Sequence, residues 1–300
     1  MVLVLAAAGG CEAMDPLDAL TSGTGGAGWP PDSGVSDASG DDASPSAAGD
    51  ATDDAAAPDA RAEAGGATDA ADERDAPQPL ADAGNDAAAD ASPPPPIAFV
   101  QVAVATPAGT AASVAATYAH AQLGGDLDVV VVGWNDTTST VTSVTDLAGN
   151  TYLPAVGPTQ YAPDLSQAIY YAPNIHAAAA GTNAVTVAFG QAANVVDLRI
   201  LEYSGLDPAS PLDQVAAASG KGAGPAATGP ATIGSGRELL VGAGMSTDMF
   251  QGAGPSFTSR AMTLDGDMVE DRIVSSTGTY TAAAPLSAAC EWVMQMATFR

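Results

Sequence analysis

The sequence has few of the residues that metal and nucleophilic chemistry usually need. Its 300 residues include two cysteines, two histidines and eight lysines or arginines, against 35 aspartates and glutamates. Cys11 and Cys290 lie near opposite ends of the chain, so a structural disulfide between them is not expected, and no cluster has zinc-ligand spacing. A net charge of −27 repels phosphate backbones and anionic lipid headgroups, which disfavours nucleic-acid binding and electrostatic membrane contact.

Residues 1–11, MVLVLAAAGGC, combine a short apolar run, small residues and Cys11, as at the end of a secretion signal. The segment resembles the lipobox of bacterial lipoproteins, in which the cysteine is lipidated and the upstream peptide is removed. Ala8 stands where that motif usually has leucine, and no basic residue precedes the apolar run. The alternative is an ordinary signal peptide with Cys11 incidental. We expect an extracytoplasmic protein, either lipid-anchored at Cys11 or secreted.

Residues 12–96 consist mainly of Ala, Asp, Gly, Ser, Thr and Pro and contain 19 acidic and 2 basic residues. Such a segment cannot bury enough apolar surface to offset the entropy of ordering, which predicts a disordered acidic linker. Its aspartates recur without a fixed period, which argues against a calcium repeat. The prolines at 93–96 mark the predicted domain boundary.

From residue 97 to residue 300 the sequence changes to β-branched residues and alternation, broken by Gly, Pro, Asn or Asp. The run LDVVVVGWN at 127–135 is apolar on both faces of a strand, which predicts a strand in the middle of a packed β-structure. No fixed repeat favours a propeller or solenoid. We predict an all-β fold, an antiparallel β-sandwich of jelly-roll-like form, with 97–105 paired to 291–299. Segment 146–150 is expected to be a hairpin loop, 207–213 a proline-stiffened loop and 219–229 a mobile connection.

Three runs carry a resemblance: SVAATYAHAQLGGDLDVVVVGWNDTTSTVTSVTDLAGNTY, LRILEYSGLDPASPLD and the terminal EWVMQMATFR. They resemble a family of β-sandwich domains of secreted bacterial proteins, commonly of unknown function and often found beside adhesive or carbohydrate-linked modules. The resemblance covers most of 97–300. It implies a jelly-roll-like sandwich in an extracytoplasmic setting, and it brings no catalytic residues with it.

A pair of carboxylates is the candidate for catalysis. Glycoside hydrolysis needs two, one of them kept protonated by an apolar setting. Alternation places Glu202 on the same strand face as Ile200, and Asp271 on the same face as Val269, so both are predicted at unusually apolar positions. The alternative is that the two acids form salt bridges with nearby arginines. His120 and His176 are expected to be solvated, and Cys290 is expected to be a small buried apolar residue.

The segment from Asp265 to Asp271 is the candidate for a metal site. Asp265, Asp267 and Glu270 supply oxygen ligands around a glycine turn, which is the ligand type that Ca²⁺ prefers. The spacing is not that of an EF-hand, and an acidic hairpin without an ion is the alternative. Structural Ca²⁺ is the one cofactor that the sequence suggests.

Two aromatic residues are candidates for stacking on a sugar ring, Trp134 and Tyr161, although aromatic residues in strands usually lie in a core. Val130, Val132, Trp134, Ile200, Leu240 and Met294 are predicted core residues. The leading hypothesis is a non-enzymatic module for adhesion or carbohydrate binding, whose partner is an extracellular glycan or surface protein. It would touch a membrane only through its lipid. The alternative is a carbohydrate-active hydrolase that uses Glu202 and Asp271.

Overall fold

The computed structural model describes residues 93–300, which form an all-β fold of antiparallel sheets packed together. This confirms the predicted fold class. The strands are β1 Ala98–Ala105, β2 Thr110–Thr117, β3 Leu127–Trp134, β4 Val141–Asp146, β5 Leu153–Tyr161, β6 Leu165–Ala172, β7 Ala184–Asn194, β8 Asp197–Ser204, β9 Leu212–Gly222, β10 Ala226–Ala227, β11 Ala231–Ile233, β12 Glu238–Ser246, β13 Thr258–Met262, β14 Met268–Val274, β15 Gly278–Tyr280, β16 Ala283–Ala284 and β17 Cys290–Phe299.

Three sheets form the main layers. The central sheet has the strand order β1-β8-β3-β6-β5, the back sheet has the order β13-β14-β12-β17-β9, and a three-stranded outer sheet has the order β2-β7-β4. Two short pairs, β10 with β16 and β11 with β15, contribute to a further apolar cluster on the back sheet. The central and back sheets form the predicted sandwich, and the outer sheet adds a third layer to it.

Strand β3 is buried along its whole length because sheets cover both of its faces. Val129 and Val131 belong to the core between the central and back sheets, together with Val241 and Phe299. Val130, Val132 and Trp134 belong to the core between the central and outer sheets, as do Ile200 and Val187. This two-sided burial of the apolar run at 127–135 was predicted from its sequence, and all six predicted core residues are buried.

The predicted pairing of the first strand with the last is wrong. Strand β1 pairs with β8 at an edge of the central sheet, whereas β17 lies between β12 and β9 in the back sheet. The residues of β17 from Val293 to Phe299 are buried. Such a strand needs a neighbour on each side and a layer on each face, which explains its interior position.

The predicted loop at 207–213 is present as far as residue 211, where strand β9 follows. The mobile connection predicted at 219–229 is wrong in its first part, since residues 212–222 pair with β17 along the edge of the back sheet. The small residues of β9 leave room for a neighbouring ring. A Cβ built on Gly220 would lie 2.7 Å from Cζ2 of Trp292, so a glycine in this strand allows the indole to lie across the backbone.

The turn after β4 is capped by Asp146 as predicted, but it does not form the predicted hairpin. Oδ1 of Asp146 accepts hydrogen bonds from the N–H groups of Gly149 and Asn150, at 2.8 and 2.9 Å, and Gly149 has a φ of 80°. Strand β4 lies in the outer sheet and β5 in the central sheet, so the turn is a connection between layers and not a hairpin.

Candidate functional site

A groove of about 810 Å³ opens among the loops of residues 93–300. Its walls come from the loop at 124–126, the loop at 205–208, the turn at 235–237 and the prolines at 94–95. Asn174 and Arg300 complete the lining. These segments precede β3, follow β8 and precede β12, so the groove is built from loops on a rigid framework of sheets.

Arg237 fastens two walls of the groove to each other. Its Nη2 donates hydrogen bonds to the backbone carbonyls of Pro95 and of Gly205, the latter at 2.7 Å. Gly205 has a φ of 80°, and a Cβ at this position would lie 3.1 Å from the backbone N of Ile97. Only glycine allows the chain entering β1 to pass this closely.

Asp207 and Arg300 lie on another side of the groove. Oδ1 of Asp207 accepts hydrogen bonds from the N–H groups of Ala209 and Ser210, at 2.8 and 3.1 Å, and these bonds lower the pKa of its carboxyl group. Nη1 of Arg300 lies 3.7 Å from Oδ1 of Asp213, and its side chain is 48% exposed. Both the acid and the base are therefore available at the solvent-facing surface.

Asp126 joins the groove to a buried acidic cluster. Asp126 lines the groove and is itself mostly buried, and its carboxyl group lies beside that of Glu202, which is fully buried on β8. Burial is the main cause that raises the pKa of Asp126, and burial followed by the neighbouring Asp126 charge raises the pKa of Glu202 to about 7. With a pKa of about 7, Glu202 holds a proton near neutral pH and so avoids a second buried charge beside Asp126.

Gln101 and Asp128 complete the surroundings of Glu202. Nε2 of Gln101 donates a 2.5 Å hydrogen bond to Oε2 of Glu202, and its Oε1 accepts one from the backbone N of His120. Asp128 stands directly opposite Glu202 in the pairing of β3 with β8. Burial raises the pKa of Asp128 to about 7.

A hydrogen-bonded chain runs from Asp128 toward the outer sheet. The hydroxyl of Tyr152 lies 3.1 Å from Oδ2 of Asp128 and 3.2 Å from Oδ2 of Asp146. Backbone and side-chain hydrogen bonds lower the pKa of Asp146. A protonated Asp128 can therefore donate to the Tyr152 oxygen while Tyr152 donates to an ionised Asp146.

The structure does not bring Glu202 and Asp271 together. Glu202 shares a strand face with Ile200, toward the outer sheet, whereas Asp271 lies on β14 of the back sheet. Oδ2 of Asp271 forms a 2.7 Å ion pair with Nε of Arg260, which is the alternative that the sequence left open. Asp271 also approaches Tyr203, which points from the central sheet toward the back sheet. The two acids thus lie on opposite sides of the central sheet.

The three candidate calcium ligands also diverge. Asp265 is exposed in the turn, while Asp267 is buried and accepts a 3.0 Å hydrogen bond from the backbone N of Ser246. Glu270 lies on the other face of β14, where it accepts a 2.6 Å hydrogen bond from the backbone N of Gly254. Residues 93–300 contain no group of three acidic, histidine or cysteine side chains arranged to hold a metal ion.

Neither aromatic candidate forms an exposed platform on which a sugar ring could stack. Trp134 is 1% exposed and its ring packs edge-on against Phe189, with 5.5 Å between the centroids. Tyr161 is half-buried and packs against Leu165, Met245 and Val293. Trp134 is therefore a core residue, and Tyr161 leaves only part of its ring open to solvent.

The two histidines and Cys290 are the remaining candidates that fall within the described residues. As the sequence predicted, His120 and His176 are exposed and Cys290 is buried, with a free thiol. Burial raises the pKa of this thiol. Cys11 and the predicted linker up to residue 92 lie outside the described residues. Within the described part, no helix is long and apolar enough to cross a membrane.

The sequence interpretation missed Asp126, Asp128 and Arg237. A signal for the acids was present, because Asp128 occupies an inward position in the most apolar strand of the chain. The position of Arg237 beside Pro95 depends on contacts across more than a hundred residues, which no local pattern encodes. Comparison of the chain with protein-family models, with curated proteins and with solved structures finds no match.

Proposed function

We propose that residues 97–300 are a non-enzymatic binding module that holds an extracellular glycan in the loop-lined groove. The observation that carries the proposal is the composition of this groove. Asp126, Asn174, Asp207 and Arg237 present planar polar groups that hydrogen-bond hydroxyl pairs, and the glycines at 124 and 125 leave backbone groups approachable. A concave site with a few convergent polar groups is the usual form of a small-ligand site.

The setting of the module is part of the proposal. The signal-like segment with Cys11, the acidic linker and the resemblance to domains of secreted bacterial proteins together support display outside the cytoplasm. The net charge of −27 disfavours nucleic acid as the partner. Contact with a membrane would then be made through the lipid on Cys11 alone.

A glycan array probed with residues 93–300 tests the proposal. The variant Pro94→Trp places a bulky ring in an exposed wall of the groove, whereas Pro93→Trp adds the same ring to an exposed position outside the lining. We expect binding by the wild type and by the Pro93 variant, and a loss of at least tenfold in affinity for the Pro94 variant. Absence of glycan binding by the wild type, or equal binding by both variants, would reject the groove as a glycan site.

One specific observation favours hydrolysis as a second candidate function. Glu202, one of the two acids first proposed for catalysis, has a carboxyl partner in Asp126, which lines the groove. Hydrolysis of a glycoside needs one acid to protonate the leaving oxygen and one carboxylate to accept a proton from water. Only Asp126 could reach a bound sugar, since Glu202 is fully buried, and this favours the binding function.

Release of reducing sugar from each glycan that binds distinguishes the two functions. A binding module leaves its ligand intact after prolonged incubation. Product formation by the wild type that is lost in both Asp126→Asn and Glu202→Gln would instead establish the hydrolase.

A further inference from the structure

We infer that the groove selects glycans with a single carboxylate group, because it holds one guanidinium, that of Arg237, whose hydrogen-bond partners among residues 93–300 are neutral carbonyls. This inference rests on the proposed function and names the class of ligand. Residues 97–300 contain 16 acidic and 6 basic residues, so cationic side chains are scarce on this domain. Two of the six basic residues, Arg237 and Arg300, line the groove.

The other four basic side chains are engaged elsewhere. Arg199 is buried with Asp197, Lys221 pairs with Glu291, Arg260 pairs with Asp271, and Arg272 lies over the ring of Tyr280.

Arg237 differs from Arg199, Lys221 and Arg260 because its hydrogen-bond partners are neutral, and it differs from Arg272 because it lines the groove. Both of its hydrogen bonds to the groove walls go to backbone carbonyls, and both use Nη2. Among residues 93–300, no carboxylate lies within ion-pair distance of its guanidinium. The guanidinium is thereby held at a fixed position with Nη1 and Nε free of protein acceptors in this part of the chain. A planar donor fork held in place suits a carboxylate.

Arg300 supplies a second, looser cation. Its ion pair with Asp213 is 3.7 Å long, and its Nε lies 3.4 Å from the carbonyl oxygen of Ser210. With 48% of the side chain exposed, the guanidinium can turn toward a ligand at small cost. An exposed ion pair of this length contributes little, so its loss on ligand binding is tolerable.

Two acids, Asp126 and Asp207, line the same groove. The carboxylate of Asp207 is turned to the backbone N–H groups of Ala209 and Ser210. Asp126 lies beside Glu202, and burial raises the pKa of its carboxyl group. Among residues 93–300, neither acid lies within ion-pair distance of Arg237, so the free donors of its guanidinium stay open to a ligand.

The acidic surface also limits the charge of the ligand. Residues 97–300 repel an extended polyanion, whose further charges would fall outside the groove. A sugar with one carboxylate, such as a terminal uronic acid, brings its charge to Arg237 and keeps the remainder of the chain neutral. This requirement distinguishes the ligand from polyuronates and from nucleic acids.

Calorimetry with two probes tests the inference: a glucuronic-acid-terminated trisaccharide and its neutral glucose-terminated counterpart. For the full chain at pH 6 and low salt, we expect the acidic probe to bind at least tenfold more tightly. Arg300→Gln and Arg237→Gln should remove most of that preference. Arg272→Gln, which removes an equal charge outside the groove, should retain it.

Arg300→Lys keeps the positive charge but loses the planar donor fork. A preference that survives in this variant depends on the charge of Arg300, and one that is lost depends on the geometry of its guanidinium. Arg237→Gln removes a contact to the chain entering β1, so the melting temperature of this variant is measured alongside its affinity. If the Arg237 variant is unfolded, the test rests on Arg300→Gln. Equal affinity for the two probes would overturn the inference and leave the glycan proposal standing. Binding of neither probe, with neutral glycans bound on the array, also overturns the inference alone. Absence of binding to every glycan on the array overturns both the inference and the proposed function.

Discussion

Asp128 and Glu202 face each other directly across strands β3 and β8, with both carboxyl groups fully buried. Neither acid has an arginine or lysine within ion-pair distance among residues 93–300. Amide and hydroxyl groups surround them instead, from Gln101, Gln122 and Tyr152. Two buried carboxylates cannot both be ionised at this separation without a large cost, so the arrangement favours protonated forms.

The first prediction concerns the stability of residues 93–300 against pH. Asp128, Glu202 and Glu270 each have a pKa of about 7 in the folded state, chiefly because of burial, whereas such groups titrate near 4 in an unfolded chain. Between these values the folded state binds more protons, so stability falls as pH rises from about 4 to about 7. We expect a higher melting temperature at pH 5 than at pH 8, measured at constant ionic strength.

Asp128→Asn identifies the source of that pH dependence. The amide imitates the protonated acid, because its Nδ2 can donate to Tyr152 as the carboxylic acid does. The variant should therefore match the wild type at pH 5, exceed it at pH 8 and show a flatter profile. Asp146→Asn is the control, since lowering of the Asp146 pKa means that its charged form is stabilised, and the variant should be destabilised at both pH values. A steep profile in the Asp128 variant would contradict this assignment.

The second prediction uses the contact between Gly220 and Trp292. A Cβ on Gly220 would lie 2.7 Å from Cζ2 of the indole, and the ring is already packed against the back sheet. Gly220→Ala should therefore destabilise the fold by about 1–3 kcal/mol, as overpacking usually does. Urea denaturation followed by Trp fluorescence measures the change.

Gly224→Ala is the matched control for this contact. No atom lies within 4 Å of a Cβ at that position, and its backbone is not in the left-handed region. Its free energy of unfolding should change by less than about 0.5 kcal/mol. Equal effects of the two substitutions would mean that glycine is needed for backbone freedom and not for the ring.

The sequence was sufficient for the parts of this fold that local pattern controls. The apolar run at 127–135 predicted a two-sided buried strand, and Asp146 with Gly149 predicted the turn. Strand β9 was missed because its alanines and glycines carry no alternation, and its pairing depends on Trp292, 72 positions after Gly220.

The candidate site was less predictable, and for a physical reason. Glu202 was recognised as an acid in an apolar position, yet strand alternation alone cannot say which sheet covers that face. The central sheet separates Glu202 from Asp271 and brings it next to Asp126 instead. Arg237 and Arg300 belong to the groove only because the loops around β8 and β12 meet there.

The third prediction concerns Arg199, which is fully buried between the central and back sheets. Its Nε lies 2.5 Å from Oδ1 of Asp197, and its Nη1 donates to the carbonyls of Gly244 and Met268. Arg199→Met leaves Asp197 as a buried charge without a partner and should destabilise the fold by about 3–5 kcal/mol. Chemical denaturation measures this loss.

The double variant Arg199→Met with Asp197→Asn tests whether the unpaired carboxylate, and not the lost guanidinium contacts, causes the destabilisation. If the unpaired carboxylate causes the loss, the double variant should recover at least half of the stability lost by Arg199→Met. Recovery of none of it would mean that the guanidinium acts mainly by bonding the two back-sheet carbonyls.

The last prediction concerns calcium at the turn from Asp265 to Glu270. A bound ion would require ligands that converge, yet Asp267 points between the sheets toward Ser246 while Glu270 lies on the opposite face of β14. We therefore expect millimolar CaCl₂ to raise the melting temperature of the wild type and of Asp267→Asn by the same amount, through general screening of an acidic surface. MgCl₂ at equal ionic strength should have the same effect. A calcium-specific increment that disappears in the Asp267 variant would show that the turn rearranges to bind the ion, since stabilisation of that kind requires a site present only in the folded state.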